Sequence, residues 1–150
     1  AIKDSKIDIT FEKSTKELAE KLTSYINGGE YIFLHGEIGV GKTTFVKYFI
    51  NKFHINEKLK LTEVTSPTFN LLNEYKTNNF IIKHYDLFRI KNGSEIKDLD
   101  IFENNEKIIT LVEWPKLLKI NNKAKSIDLL FTYENELKNR TVEIKGLNSF

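Results

Sequence analysis

The stretch from His35 to Thr44, HGEIGVGKTT, constrains this chain more than any other segment. It holds three of the chain's seven glycines, together with a lysine and two threonines. Gly36 to Thr43 fits the pattern G-x-x-x-x-G-K-[ST], in which glycine allows several backbone N–H groups to turn into one concavity. Such a concavity binds the oxygens of a polyphosphate.

The flanks of this loop predict the strand and the helix that the motif requires. Residues 31–34, YIFL, form a short aromatic and β-branched run that is typical of a buried strand. Residues 43–53 contain no glycine or proline and repeat apolar residues at helical spacing. A helix N-terminus offers free N–H groups and a dipole that favours an anion. We therefore expect Lys42 to reach the β- and γ-phosphates, Thr43 to bind Mg²⁺, and Thr44 to support the loop or the α-phosphate.

The remaining pattern predicts an α/β fold, a P-loop NTPase-like single domain spanning residues 1–150, with a mixed β-sheet, flanking helices and an antiparallel hairpin. The hairpin is predicted from strand-like runs at 69–75 and 80–86, joined by a polar turn. An alternating segment at 7–11 predicts a first strand, and S-T-K-E at 14–17 predicts a capped helix start. Further strands are expected at 108–112, 127–133 and 141–144, with short helices after Ser94 and from Pro115.

Composition excludes several classes of protein. No cysteine occurs, so disulfides and cysteine metal sites are excluded, and no apolar run is long enough to span a membrane. The first residues are charged and lack an apolar signal region, so we expect a cytoplasmic protein without membrane association. The net charge of +2 is too small to predict a nucleic-acid surface.

Two apolar runs that predict strands each end in an acidic residue: FIIKHYD ends at Asp86, and IITLVE ends at Glu113. Because the carboxyl ends of parallel strands face the ligand in α/β sheets, Asp86 and Glu113 are candidates for the metal and for the attacking water. The sequence leaves open which of them positions the water. For His84, on the same strand face as Asp86, a structural role is favoured over a role at the site, and Trp114 fits either packing or the site.

The segment V-T-S-P-T-F at 64–69 surrounds a rigid proline with hydroxyls. It fits a loop that enters a strand and equally a switch that senses the γ-phosphate.

In their order along the chain, G-E-I-G-V-G-K-T-T, V-T-S-P-T-F, H-Y-D-L-F-R and V-E-W-P resemble the TsaE family (also called YjeE), small bacterial ATPases required for threonylcarbamoyladenosine modification of tRNA. The ordered set spans Thr15 to Pro115, and T-K-E-L-A looks like the family's opening helix. The sequence departs from the family at Phe88, where tyrosine is usual, and at Asp100, where glycine is common.

The resemblance implies ATP and Mg²⁺ as cofactors and assigns roles at matching positions. Lys42, Asp86 and Glu113 would be catalytic, with Thr43, Asp86 and Glu113 around the metal, and Ser66-Pro67-Thr68 would be the nucleotide-sensing switch. The expected nucleotide-binding residues are the whole loop and two weaker matches: Glu12, Gly36, Glu37, Ile38, Gly39, Val40, Gly41, Lys42, Thr43, Thr44 and Arg140.

The resemblance also implies a partner. In that family the protein acts on the TsaB–TsaD protein complex, its slow ATP hydrolysis depends on that complex, and tRNA is involved only indirectly.

Three other functions compete with this one. A small-molecule kinase of the same fold commonly uses lid arginines, and the chain has only Arg89 and Arg140. A GTPase would normally carry N-K-x-D and D-x-x-G, and neither occurs. A nucleotide-dependent binding module without useful hydrolysis is not separable from a slow ATPase by sequence.

Overall fold

The computed structural model describes residues 6–67, 69–118 and 125–147. Within these residues the strands form one seven-stranded sheet, flanked by helices. The strands are β1 (Lys6–Asp8), β2 (Tyr31–His35), β3 (Leu72–Lys76), β4 (Ile81–Asp86), β5 (Ile108–Glu113), β6 (Ser126–Glu134) and β7 (Asn139–Lys145). The helices are α1 (Glu12–Thr23), α2 (Lys42–Asn56) and the 3-10 helices Gly93–Leu99 and Pro115–Leu117. None of the helices in this part of the chain is long and apolar enough to cross a bilayer.

The sheet is mixed, as predicted, with the strand order β1-β7-β6-β2-β5-β4-β3. Its centre is parallel, because β2 pairs with both β5 and β6, and β5 pairs with β4. The outer pairs are antiparallel, including the predicted β3–β4 hairpin. Since β2, β4 and β5 run in the same direction, the segments that follow them meet at one edge of the sheet.

Apolar side chains cover both faces of this sheet. Helices α1 and α2 pack on one face, where Phe45 of α2 meets Phe131 of β6 edge-on with ring centroids 6.0 Å apart. The segment that follows β4 covers the other face and places Ile96 and Ile101 against Tyr85. Every residue of β5 is buried, as expected for a central parallel strand.

Two predicted boundaries are wrong because contacts with distant strands override the local signal. Helix α1 begins at Glu12 with Phe11 as its N-cap, so the box predicted at Ser14 lies inside the helix. The turn before it is fixed by Thr10, whose Oγ1 accepts the N–H of Arg140 in β7 at 3.1 Å. The first strand accordingly ends at Asp8 instead of continuing to residue 11.

The segment after β4 also differs from expectation. Its helix is of the 3-10 type, and its cap is Asn92, whose side chain accepts the N–H of Ser94 at 3.1 Å. It ends at Leu99 because Asp100 adopts a left-handed conformation, with φ 54°. This backbone favours glycine, the residue that is common here in the family that the motifs resemble. The strand predicted from residue 69 begins only at Leu72.

Candidate functional site

The loop between β2 and α2 has the backbone conformation that its glycines predict. Gly36, Gly39 and Gly41 have φ values of 146°, 79° and 114°, a region that L side chains rarely adopt. At Gly36 a Cβ would also lie 2.8 Å from the carbonyl oxygen of Phe131, so close approach to β6 excludes a side chain. Gly41 is the N-cap of α2, and the first turn of that helix therefore faces the loop.

Lys42 is held inside this loop. Its Nζ donates to the carbonyl of Gly36, and the residue is 4% exposed. Burial lowers the pKa of the Lys42 ammonium, while the negative charges of Glu113 and Asp86 oppose that shift. The lysine is thus a desolvated cation placed between the loop and the two predicted acids.

Trp114 covers the ammonium of Lys42. The Nζ atom lies 3.6 Å from the centroid of the indole ring, within range of a cation–π interaction. Trp114 follows β5 in a left-handed conformation, with φ 59°, which is costly for a bulky residue. Its ring also packs on Phe88, with centroids 4.8 Å apart. The tryptophan that sequence left open between packing and the site therefore lies at the site.

Asp86 and Glu113 lie side by side at the ends of β4 and β5. They are direct partners in the parallel register, and they are 9% and 3% exposed. Asp86 accepts from Ser66 Oγ at 2.9 Å and from the N–H of Phe88 at 3.0 Å. Like charges directly opposite each other on neighbouring strands are destabilising, and the nearby ammonium of Lys42 offsets part of this repulsion.

Glu113 has two hydrogen-bond donors within this site. His84 Nε2 lies 2.7 Å from Glu113 Oε2, and His84 is fully buried. The hydroxyl of Thr43 donates to the same oxygen at a longer 3.4 Å. The alternation of side chains along β4 predicted from sequence that His84 lies on the same face as Asp86. Its hydrogen bond to Glu113 on the neighbouring strand could be found only in the three-dimensional structure.

A cavity of about 440 Å³ joins these groups. Ten of the twelve residues that line it were predicted from sequence to take part in the site. Nine of them carry predicted nucleotide, metal or catalytic roles: Ile38, Gly39, Gly41, Lys42, Thr43, Thr44, Asp86, Glu113 and Arg140. The tenth is Ser66 of the predicted switch, and the other two lining residues are Phe88 and Trp114.

Four predicted nucleotide-binding residues do not line this cavity. Gly36 contributes its carbonyl to Lys42, Val40 is fully buried in the core, and the carbonyl of Glu37 accepts the N–H of Val40. Glu12 lies in the first turn of α1, where its carboxylate accepts from the hydroxyl of Tyr48. Their roles toward a nucleotide stay predictions.

Arg140 reaches the cavity from β7. Its guanidinium Nη2 donates to the carbonyl of Thr10 at 3.0 Å, and its Nη1 would lie 3.9 Å from a Cβ at Gly41. The side chain is thus anchored on the β1–α1 turn and held near the phosphate loop. In the predicted switch, Ser66 contacts Asp86 as described, while Thr68 lies outside the described residues.

The donors around the cavity fit Mg²⁺ bound together with a polyphosphate. Thr43, Asp86 and Glu113 supply only oxygen atoms, which are the ligands that this cation prefers. In the ranges that the structure describes, no cluster of three or more His, Cys, Asp or Glu residues could enclose a metal. Mg²⁺ commonly binds through one or two carboxylates plus substrate phosphates, so the pair of acids suits it without a full protein cage.

Comparison with protein families gives a match that covers most of the chain. Residues 9–142 match the model of the family described as "Threonylcarbamoyl adenosine biosynthesis protein TsaE". This match confirms the resemblance inferred from the ordered motifs.

Individual proteins similar to this chain agree with the family match. The TsaE protein of Rickettsia felis is 41% identical over 108 residues, which cover 72% of this chain and 61% of that protein. The TsaE protein of Nostoc sp. is 31% identical over 149 residues, covering 96% of this chain and 87% of that protein. The crystal structure of Bacillus subtilis YdiB superposes with a TM-score of 0.72 at 21% identity, covering 99% of this chain and 89% of that one. The last comparison confirms the fold class alone.

Proposed function

The chain belongs to the TsaE family, and from that premise we propose that it is an ATP-binding, slowly hydrolysing ATPase that supports threonylcarbamoyladenosine modification of tRNA by acting on the TsaB–TsaD complex. The relatives carry the name "tRNA threonylcarbamoyladenosine biosynthesis protein TsaE". Because tRNA is modified where it is made and used, a cytoplasmic location is part of the proposal.

One observation carries the nucleotide part of this proposal. A glycine loop, a buried lysine and two buried carboxylates from neighbouring strands line a single cavity. The lysine and the N-terminus of α2 favour an anion, while the carboxylates favour a cation. A nucleoside triphosphate with Mg²⁺ brings both charges in one ligand.

Each residue has a distinct part in the proposed chemistry. The loop backbone and Lys42 would hold the phosphates, and Thr43, Asp86 and Glu113 would hold Mg²⁺. Bound Mg²⁺ would neutralise charge on the phosphates. Asp86 accepts a hydrogen bond from Ser66, so the predicted switch segment contacts a group that would orient water or metal.

The geometry also supports slow turnover by the isolated protein. Lys42 rests on the Gly36 carbonyl and under Trp114, and both contacts must be exchanged for phosphate contacts. Arg140, the arginine that lines the cavity, is tied to the Thr10 carbonyl. A partner that rearranges Trp114 or the Ser66 segment would therefore change the rate, which agrees with partner-dependent hydrolysis.

The test is ATP hydrolysis with Mg²⁺ by the protein alone and with the TsaB–TsaD pair of its own organism. We expect a low rate alone and a sharp rise with the pair. A rate that is indifferent to the pair would remove the partner-coupled role. ATP binding without hydrolysis under both conditions would instead indicate a nucleotide-dependent binding module, and transfer of phosphate to an added acceptor would indicate a kinase.

A further inference from the structure

His84 contacts Glu113 in a way that the proposed chemistry has not used. The ring is completely buried on β4, and its Nε2 lies 2.7 Å from Glu113 Oε2. The other ring nitrogen, Nδ1, is buried and has no hydrogen-bond partner in the part of the chain that the structure describes. Burying a ring nitrogen without a hydrogen-bond partner lowers the stability of the fold, so the contact that the ring does make requires an explanation.

The hydrogen bond has a defined direction. A carboxylate only accepts, so with Glu113 ionised the proton lies on Nε2 and the ring donates it. Because Nδ1 has no partner among the described residues, the contact through Nε2 is the hydrogen bond that fixes the ring. The ring is therefore a fixed donor aimed at one oxygen of the carboxylate.

The surroundings of Glu113 explain why such a donor matters. Asp86 is its direct register partner, so two buried carboxylates share this edge of the sheet. Glu113 Oε2 is held by His84 from the neighbouring strand, and the weaker Thr43 contact at 3.4 Å does not fix it alone. Its backbone is fixed as well, because its carbonyl accepts the N–H of Leu87 at 3.1 Å.

We infer that His84 is a positioning residue for the divalent-cation site: its Nε2–H holds one oxygen of Glu113 so that the carboxylate is presented to Mg²⁺ beside Thr43 and Asp86. This inference rests on the proposed function, since it concerns the cation that would accompany ATP. Donors behind metal-binding carboxylates commonly orient the ligand in this way. His84 itself would not touch the metal or the nucleotide.

Two substitutions of His84, which place an amide nitrogen at different distances from the backbone, test the inference. In His84→Gln the amide nitrogen lies near the position of Nε2, whereas in His84→Asn it reaches only the position of Nδ1. His54→Gln is the matched control, because His54 is another buried histidine, bonded through Nδ1 to the carbonyl of Lys60 and outside the site cavity.

The measurement is ATP binding during a Mg²⁺ titration, with a parallel measurement in EDTA. We expect the Mg²⁺ concentration for half-maximal effect to rise about 10–100-fold in His84→Asn, the range typical for lost support of a metal ligand. His84→Gln and His54→Gln should stay near the wild-type value, and affinity in EDTA should be unchanged in all variants. If the asparagine variant does not fold, His84→Leu, which buries no polar group, gives the same readout.

The inference would be overturned if folded His84→Asn or His84→Leu had the same Mg²⁺ concentration for half-maximal effect as wild type. An equal loss of affinity with Mg²⁺ and with EDTA would also overturn it, because the histidine would then support the fold alone. Failure of the proposed function has a different signature, since the wild-type protein would not bind ATP at all. In that case the role of His84 falls with it.

Discussion

Replacing Lys42 with methionine is the sharpest test of the phosphate site. Methionine keeps an unbranched side chain of similar length, so the buried stem of the 4%-exposed residue still packs while the charge is removed. In the free protein the ammonium has two contacts, one to the Gly36 carbonyl and one to the face of Trp114 at 3.6 Å. In the proposed complex with ATP, both would be exchanged for contacts with phosphate oxygens.

The expected loss follows from this exchange. Contacts with two phosphates at about 1.5–3 kcal/mol each supply about 3–6 kcal/mol in total. The resting bond is itself charge-assisted at about 1.5–3 kcal/mol, and with the cation–π contact at about 0.5–1 kcal/mol the two offset about 2–4 kcal/mol of that gain. The net loss of binding free energy on Lys42→Met is therefore about 1–2 kcal/mol, which raises the Kd for ATP about 5- to 30-fold.

Isothermal titration calorimetry suits this measurement, because the fluorescence of Trp114 would respond to the mutation itself. Lys83→Met is the matched control, since Lys83 is also buried at 8% exposure but lines a different cavity on the other face of the sheet, with Tyr85 and Leu99. We expect its ATP affinity to equal that of wild type. An unchanged Kd in folded Lys42→Met, or an equal loss in both variants, would refute the assignment of Lys42 to the phosphates.

Three further predictions concern the metal, the indole and the loop. Glu113→Gln keeps an oxygen that accepts from His84 and should fold normally, yet it should lose Mg²⁺-dependent ATP turnover; wild-type turnover would remove Glu113 from the site. Because Trp114 is the chain's one tryptophan and covers Lys42, ATP should change its emission, and a spectrum unaltered at saturating ATP would contradict the exchange of contacts. Gly36→Ala should lower the free energy of unfolding by about 1–3 kcal/mol, since its φ is 146° and its Cβ would lie 2.8 Å from a backbone oxygen. Gly93→Ala, with nothing within 4 Å of its Cβ, should change that free energy by less than about 0.5 kcal/mol in urea unfolding, and equal losses in the two variants would argue against the strain.

The backbone of the loop between β2 and α2 could be predicted because the glycines that determine it lie in one short segment. The glycines of Gly36–Thr43 specify a backbone that needs positive φ, and the structure has it. The strand before the loop and the helix after it could also be predicted locally, because each follows from the spacing of apolar residues along its own segment. Asp86 and Glu113 lie at the ends of parallel strands, as the sequence predicted, while their part in ligand binding stays a prediction.

The contacts between these parts could not be predicted in the same way. Asp86 and Glu113 become neighbours because β5 inserts between β2 and β4, and nothing local specifies that order. The bond between His84 and Glu113 joins residues 29 positions apart. The capping box at Ser14 failed for the same reason, because the pairing of Thr10 with Arg140 on β7 begins the helix earlier than its own residues indicate.

Several residues at the carboxyl edge of the sheet adopt arrangements that are unfavourable for folding, and these indicate the function of that edge. Two carboxylates lie in direct register although like charges repel, Lys42 is desolvated, and Trp114 adopts a left-handed backbone that favours glycine. None of these arrangements favours folding, and all of them border the same cavity. Strain and opposed charges that cluster at one site are expected where a ligand supplies the missing compensation. A polyphosphate would satisfy Lys42 and the loop, and its cation would satisfy the two acids, so ATP with Mg²⁺ should stabilise this protein against unfolding more than either component alone.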